Sequence, residues 1–438
     1  MYVDWVNHAS FVLRCGATSI ICDPWLEGSI FKGGWSLISP TAFDYADFAG
    51  VSHIWISHQH PDHFSPTNLR KIDSETKKRI VVLYQETDDK LVVSWLRSRG
   101  FANVRELPLR RWIPVADGIE ILCGTIADDS WLAIRTPDRT FLNVNDCVLK
   151  TRDRIEPIAS AVGKVDVFFT QFSYAQWTGN PEERGRRRVE ALEKIERIRL
   201  QAQILQPETI VPCASYFYFC HEENFFLNDG VNQVADVARF IERDLGKRAV
   251  VLYPGDRWDL SANPPDWHAA AERYAEDFRE CIARGPAYHT RSLRAEDVLP
   301  QIEAFFKRLQ RKNPRARGLI TGRTTVYITD NSQAYEISGQ GIRPVRASRN
   351  EADITTSFES LLYAFKTPWG GNALHVTGRF TSSPPSGHLR FFRVMRALQH
   401  YNVTPVDLEW LRAQVRRVVR GAGNRARRLV HAQVHSTR

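Results

Sequence analysis

Short segments of alternating apolar and polar residues dominate the first part of the chain. Ser10-Phe11-Val12-Leu13-Arg14 and Thr18-Ser19-Ile20-Ile21-Cys22 each have the period of a strand, and Gly16 supplies a turn between them. The same pattern predicts strands at 51–57, 79–84, 119–122, 131–134, 140–144, 165–170 and 209–212. Helical spacing is found at 66–73, 90–99 and 182–205, the last with charge concentrated on one side. Strands first, with helices interspersed, imply a layered α/β sandwich that carries its chemistry at strand ends.

Beyond about residue 262 the pattern changes. Pro264-Pro265-Asp266 opens a predicted helix that runs to Ala283, and 295–311 reads as another. Residues 318–347 alternate like strands, 355–365 are helix-like and 372–378 are strand-like. This order is loosely similar to a sterol-carrier-like module. Residues 406–420 predict a basic helix, interrupted by Gly421-Ala422-Gly423-Asn424. The expected organisation is therefore a first domain over 1–262, an α+β domain over 263–405 and a basic helical tail over 406–438.

Composition narrows the class. At 43% hydrophobic and 25% charged residues, the chain reads as a globular protein. It has no apolar run of about 18 residues, so no membrane span is expected. A basic segment followed by an apolar one is missing at the N-terminus, so no signal peptide is expected. Seven cysteines without a Cys-x-x-Cys motif suit buried, reduced thiols in a cytoplasmic protein. The formal charge of +9 is local, because eight arginines and no acid lie between Leu411 and the end. Such a tail is suited to nucleic acid or an acidic partner, or is simply a solvated helix.

The chemistry is concentrated in His58-Gln59-His60-Pro61-Asp62-His63, which follows the apolar run 51–57. Three imidazoles and a carboxylate within six residues are donors for borderline transition metals. The pattern His-x-His-x-Asp-His resembles the signature loop of the metallo-β-lactamase fold. In that fold the first two histidines hold one metal, and the Asp and last His hold a second. The resemblance implies an αββα sandwich and two transition-metal ions held by His58, His60, Asp62 and His63.

It implies further ligands from other strand ends. Asp146, after the apolar strand 140–144, takes the place of a bridging carboxylate. The histidine usual in the middle of the fold is missing from Gly124-Thr125-Ile126-Ala127-Asp128-Asp129, so either Asp128 or Asp129 stands in for it or the first metal is held by fewer protein groups. We take Asp129 as the ligand and Asp128 as a supporting group. A carboxylate there hardens the site and tilts it toward iron or manganese over zinc. The last histidine is also missing after Pro212, which leaves His221 as its substitute. Asp23 and His8 take supporting places, Asp23 as acceptor for a ligating histidine. His8 matches a position in the lactonase and phospholipase branch of the fold.

A more particular resemblance runs through Asp23-Pro24-Trp25-Leu26-Glu27-Gly28, Phe31, Gly33-Gly34-Trp35, Asn143 to Cys147, and Glu223-Asn224-Phe225. These are similar to the catalytic region of the CMP-N-acetylneuraminate hydroxylase family, over about residues 1–260. In that family a Rieske iron–sulfur domain precedes this region and oxygen is inserted into the substrate. The Cys-x-His and Cys-x-x-His pairs of a Rieske centre do not occur here, so electrons would come from an external donor.

Three functions follow as expectations. The first is an iron-dependent oxygenase acting on a small polar or anionic molecule. The second is a zinc or manganese hydrolase of an ester, amide or phosphodiester, with Asp62 taking a proton from bound water. The third is a non-catalytic metal-binding protein with an anion-binding tail. Trp25, Trp35, Tyr174, Trp177 and Tyr216 are the candidate substrate-stacking residues, and Lys32 and Arg184 the candidate anion contacts.

Overall fold

The structure, a computed structural model, describes residues 1–403 apart from 315–317, 319, 321, 367–369, 384 and 385. It divides into two compact units, one of Met1–His289 with Val376–Gly378 and one formed by the rest.

Two seven-stranded sheets build the first unit. One has the order Arg257–Asp259, Tyr2–Asn7, Ser10–Cys15, Thr18–Cys22, His53–Ile56, Val81–Gln85, Asn103–Leu107. The other runs Arg248–Ala249, Thr209–Cys213, Val167–Gln171, Thr140–Asn143, Asp129–Arg135, Ile119–Ile126, Trp112–Ala116. Strand alternation sorts their side chains. Trp55 and Leu83 join Ile121, Leu132, Leu142 and Phe168 in one core shared by both sheets. Ile54, Ile56, Val82 and Tyr84, on the opposite face, pack with Leu69, Val92 and Leu96 of the helices Pro66–Lys71 and Leu91–Ser98. Ile155 and Ile158 of Arg152–Val162 and Ile198 of Arg184–Leu205 join the shared core. The result is the αββα sandwich that the sequence resemblance implies.

Each sheet joins antiparallel hairpins to parallel strands. Thr18–Cys22, His53–Ile56 and Val81–Gln85 are parallel neighbours, as are Thr140–Asn143, Val167–Gln171 and Thr209–Cys213. Asp23, the His58–His63 loop and Asp146 all follow the C-terminal ends of such strands. In open α/β sheets that is where ligands gather.

The division between units falls after His289, not at residue 262. The helix Trp267–Arg284 belongs to the first unit because its Trp267, Ala270, Ala271 and Tyr274 are buried in the shared core. Trp5 Nε1 also donates to Tyr274 Oη at 2.9 Å.

The second unit contains the helix Ala295–Lys312 and a five-stranded sheet ordered Gly341–Val345, Gln333–Ser338, Arg323–Ile328, Ile354–Thr356, Thr381–Ser382. The expected strand at 372–378 is instead the helix Gly370–Thr377. A short apolar run has no period that separates the two. The tail 406–438 lies outside the described residues. Among those described, no helix is long and apolar enough to cross a membrane.

Candidate metal centre

Backbone geometry sets the centre before any side chain does. His8, Asp23 and Asn145 all have positive φ (47°, 41° and 40°), a costly conformation for residues other than glycine that recurs at functional sites. His8 turns the chain between Tyr2–Asn7 and Ser10–Cys15, Asp23 ends Thr18–Cys22, and Asn145 follows Thr140–Asn143.

Asp23 is the hub beneath the histidine loop. Its side chain is fully buried. The Ser57 N–H donates to Asp23 Oδ1 at 2.7 Å, and the Ser57 hydroxyl donates to Oδ2 at 2.8 Å. Asn145 Nδ2 donates to the same Oδ2 at 2.6 Å. His63 Nδ1 lies 2.8 Å from it. With Nδ1 so occupied, Nε2 of His63 is left for a metal, which is the support a ligating imidazole requires. Ser57 Oγ lies 3.0 Å from His58 Nδ1 and turns His58 Nε2 the same way.

The hairpin Ile119–Ile126/Asp129–Arg135 brings Asp129 to this loop. Its two-residue turn, Ala127-Asp128, has Ala127 at φ 56° and pairs Asp129 with Ile126. Ser130 Oγ donates to the Ser57 carbonyl at 2.5 Å. Gln85 Nε2 bridges the carbonyls of Ser57 (3.3 Å) and Asp128 (2.7 Å). Asp128 is thus held through its backbone, and its side chain is exposed. Asp146 is held by Gln171 Nε2 at 2.8 Å, and Gln171 Oε1 accepts from Lys194.

Three overlapping groups of donors result, each with its ligand atoms within 4.8 Å of one another: His58, His60 and Asp129; His58, His63 and Asp146; His8, Asp62 and His63. His58 Nε2 and His60 Nδ1 are 2.9 Å apart, and His58 Nε2 is 3.7 Å from Asp129 Oδ1. His63 Nε2 lies 3.1 Å from Asp62 Oδ2 and 3.5 Å from Asp146 Oδ2. Around one ion with bonds of about 2.1 Å, neighbouring donors stand roughly 3–3.5 Å apart. The first and third groups have no residue in common. The second joins them through His58 and His63, with Asp146 between. These groups suggest a dinuclear site. Asp62 Oδ1 is buried and makes no hydrogen bond, a state that is costly unless an ion satisfies it, and His63 Nε2 faces only the Asp62 and Asp146 carboxylates.

The two ends of the centre differ in access. Asp129 is 21% exposed and Asp146 16%, whereas Asp62, His63 and His8 are sealed inside. Electrostatics differ too. Burial, with His63 beside it, lowers the His58 pKa to about 4, and burial also lowers that of His60. Both are neutral imidazoles at neutral pH. For His63, burial favours the neutral form, but Asp62, Asp23 and Asp146 outweigh it and raise the pKa well above the usual value. Burial likewise works against ionised Asp62, yet the imidazoles of His63 and His8 hold its pKa well below the carboxylate range. Burial and Asp146 raise Asp129 to about 6.

The structure does not bring His221 into the set. Among the described residues, no donor group includes it. The strand before it, Phe217–Phe219, pairs with Trp35–Leu37, and His221 itself forms an isolated bridge with Tyr288. There the His221 Nδ1 accepts from the Glu223 N–H at 3.2 Å.

The five expected stacking residues are all buried. Trp35 stacks on Phe217 with centroids 3.8 Å apart, and Tyr216 on Tyr274 at 4.1 Å. Tyr174 donates to the Leu227 carbonyl, and Trp177 lies under the Arg186 guanidinium. Trp25 alone backs the centre, its ring edge-on to His8 at 5.4 Å. These rings are packing, because apolar surface of that size is most stable out of water. Of the two expected anion contacts, Lys32 is exposed, and Arg184 is exposed 3.6 Å from Asp229. Cys147 is a buried thiol whose pKa burial raises well above the usual value, so it is held protonated.

Ser57, Gln85, Ser130, Asn145 and Gln171 went unmarked in the sequence. Only Asn145, polar beside Asp146 after an apolar strand, had a signal there.

Comparison with known proteins agrees with this fold. Residues 2–112 match the model of the beta-lactamase superfamily domain. A protein of Mycobacterium tuberculosis described as a Rieske 2Fe-2S iron–sulfur protein is 29% identical over 187 residues, 40% of this chain and 35% of its own. The cytidine monophosphate-N-acetylneuraminic acid hydroxylase of Danio rerio is 24% identical over 279 residues, 59% of this chain and 46% of its own. The chain thus spans less than half the length of these curated relatives. Among solved structures, CmlA, a diiron β-hydroxylase from Streptomyces venezuelae, is 17% identical with a TM-score of 0.43, covering 59% of this chain and 54% of that one.

Proposed function

Starting from a metallo-β-lactamase fold with its donors gathered at one end of the sandwich, we propose that the protein is a dinuclear-metal oxygenase, iron-dependent, that hydroxylates a small polar or anionic molecule. Asp129 carries the reading. A carboxylate groups with His58 and His60 where a third imidazole is usual in this fold, and oxygen donors favour iron and manganese over zinc. The relatives described as hydroxylases support the same direction.

His58, His60, Asp129 and Asp146 would hold one ion, and Asp62, His63 and Asp146 the other. Bound iron would supply redox chemistry with dioxygen, whereas zinc or manganese would supply hydrolysis. The chain's own part is positional. Asp23 fixes the His63 ring, Ser57 the His58 ring, and Gln171 the Asp146 carboxylate. Substrate would approach from the open side, past His60, Asp129 and Asp146, because the other side is closed by Trp25 and Phe217. Electrons would come from a separate donor, for which the similarity to a Rieske-type protein is the motive.

The test is dioxygen consumption by the iron-loaded protein with a chemical reductant, against the same protein with His58→Ala. The reading requires reductant-dependent uptake that the variant lacks. Zinc in the protein as purified, with turnover of an ester or phosphodiester in the absence of oxygen, would establish the hydrolase instead.

A further inference from the structure

We infer that His8 is a ligand of the second metal, in place of the histidine missing after the strand Thr209–Cys213. This rests on the dinuclear reading above. The His8 ring is fully buried, Nδ1 makes no hydrogen bond, and Nε2 faces the Asp62 carboxylate. A buried imidazole with one nitrogen unsatisfied and the other turned to a candidate ligand needs a reason, and its surroundings are built to hold it. The His8 N–H donates to Asn7 Oδ1 at 2.9 Å, and Asn7 Nδ2 is tied to the Ser39 carbonyl (2.9 Å) and to Thr41 Oγ1 (3.0 Å). The ring is wedged edge-on between Trp25 and Phe217. Its Nε2 lies 3.5 Å from Asp62 Oδ2, and the donor atoms of His8, Asp62 and His63 fall within 4.8 Å of one another.

The link to the missing ligand is direct. The fold usually places its last histidine just past the Pro-ending strand, where this chain has Cys213-Ala214-Ser215. The Ala214 N–H donates to the His8 carbonyl at 3.0 Å. His8 therefore stands beside the vacated position, reached from the first hairpin instead of the end of the strand Thr209–Cys213. Its backbone has φ 47°, an uncommon conformation for a residue other than glycine and one that recurs at functional sites.

Cobalt(II) titration of the metal-free full chain tests the inference, read by the visible bands of the bound ion and by metal content after gel filtration. Wild type should take up two equivalents. His8→Ala should keep one and bind the second at least ten times more weakly, and free imidazole should restore the second with its bands. His8→Phe, which keeps a ring but offers no donor atom, should show the same loss and carries the test if His8→Ala is unfolded by circular dichroism. Two equivalents at unchanged affinity in both variants overturn the inference and leave the dinuclear reading standing. So does a folded His8→Ala whose lost equivalent imidazole does not restore. Fewer than two equivalents in wild type overturn the dinuclear reading and this inference with it.

Discussion

Asp23 illustrates how much of a metal site lies outside its ligands. It touches no candidate ligand except His63, yet it joins the Ser57, His63 and Asn145 side chains through one carboxylate. Loss of such an acceptor usually weakens metal binding by roughly 10- to 100-fold. Asp23→Ala should show that weakening by competition with a chromophoric chelator. His63 gives a pH-dependent prediction. Its raised pKa means that it carries a proton at neutral pH in the metal-free chain, and a metal must displace that proton. Calorimetric titrations in two buffers of different ionisation enthalpy should therefore report release of about one proton from His63 near pH 7. Release should fall toward zero as pH rises through the raised pKa. The His58–His63 loop and Asp146 were legible in the sequence because donor residues are rare at the ends of apolar strands. His8 and Asn145 were less so, because nothing local says that a turn residue points inward.

At the scale of elements, register does the positioning. Trp131 stands opposite Gly124 in the hairpin that carries Asp129. A Cβ on Gly124 would come within 2.2 Å of the Trp131 ring. Gly124→Ala should thus cost roughly 1–3 kcal/mol of stability by overpacking, seen as a lowered Tm, and should also weaken metal uptake because the hairpin must shift. Most strands were legible because their alternation matches the two faces of a sheet, as at Ile54, Trp55 and Ile56. Boundaries were less so. The predicted helix at 66–73 ends at Lys71, and an unpredicted second helix, Ser74–Arg79, follows it, capped by the Asp73 side chain. The expected strand at 79–84 consequently begins at Val81. Residues 372–378 were misread because helix and strand can both bury a short run of Ala, Leu and Val.

For the whole molecule, the sequence change near residue 262 marked a change of character, but not the end of the first unit. A helix entered by Pro264-Pro265-Asp266 looks like a new start in one dimension. Only the burial of Trp267 and Tyr274 assigns it to the sandwich. The tail is a separate matter of charge. Its eight arginines account for most of the +9 net charge. A chain ending at residue 410 should elute from immobilised heparin at clearly lower salt than the full chain, with unchanged metal content. Equal elution would remove the tail as an anion-binding segment.

The central claim is a dinuclear centre that selects iron, and metal content tests it most directly. The full chain, purified without added metal or chelator, is analysed by mass spectrometry of its metals, alongside His60→Ala and Asp129→Ala. The account predicts about two ions per chain, mostly iron, with fewer in each variant because each removes a donor from the same group. Two zinc ions would contradict the iron assignment. Metal content unchanged in both variants would contradict the centre itself.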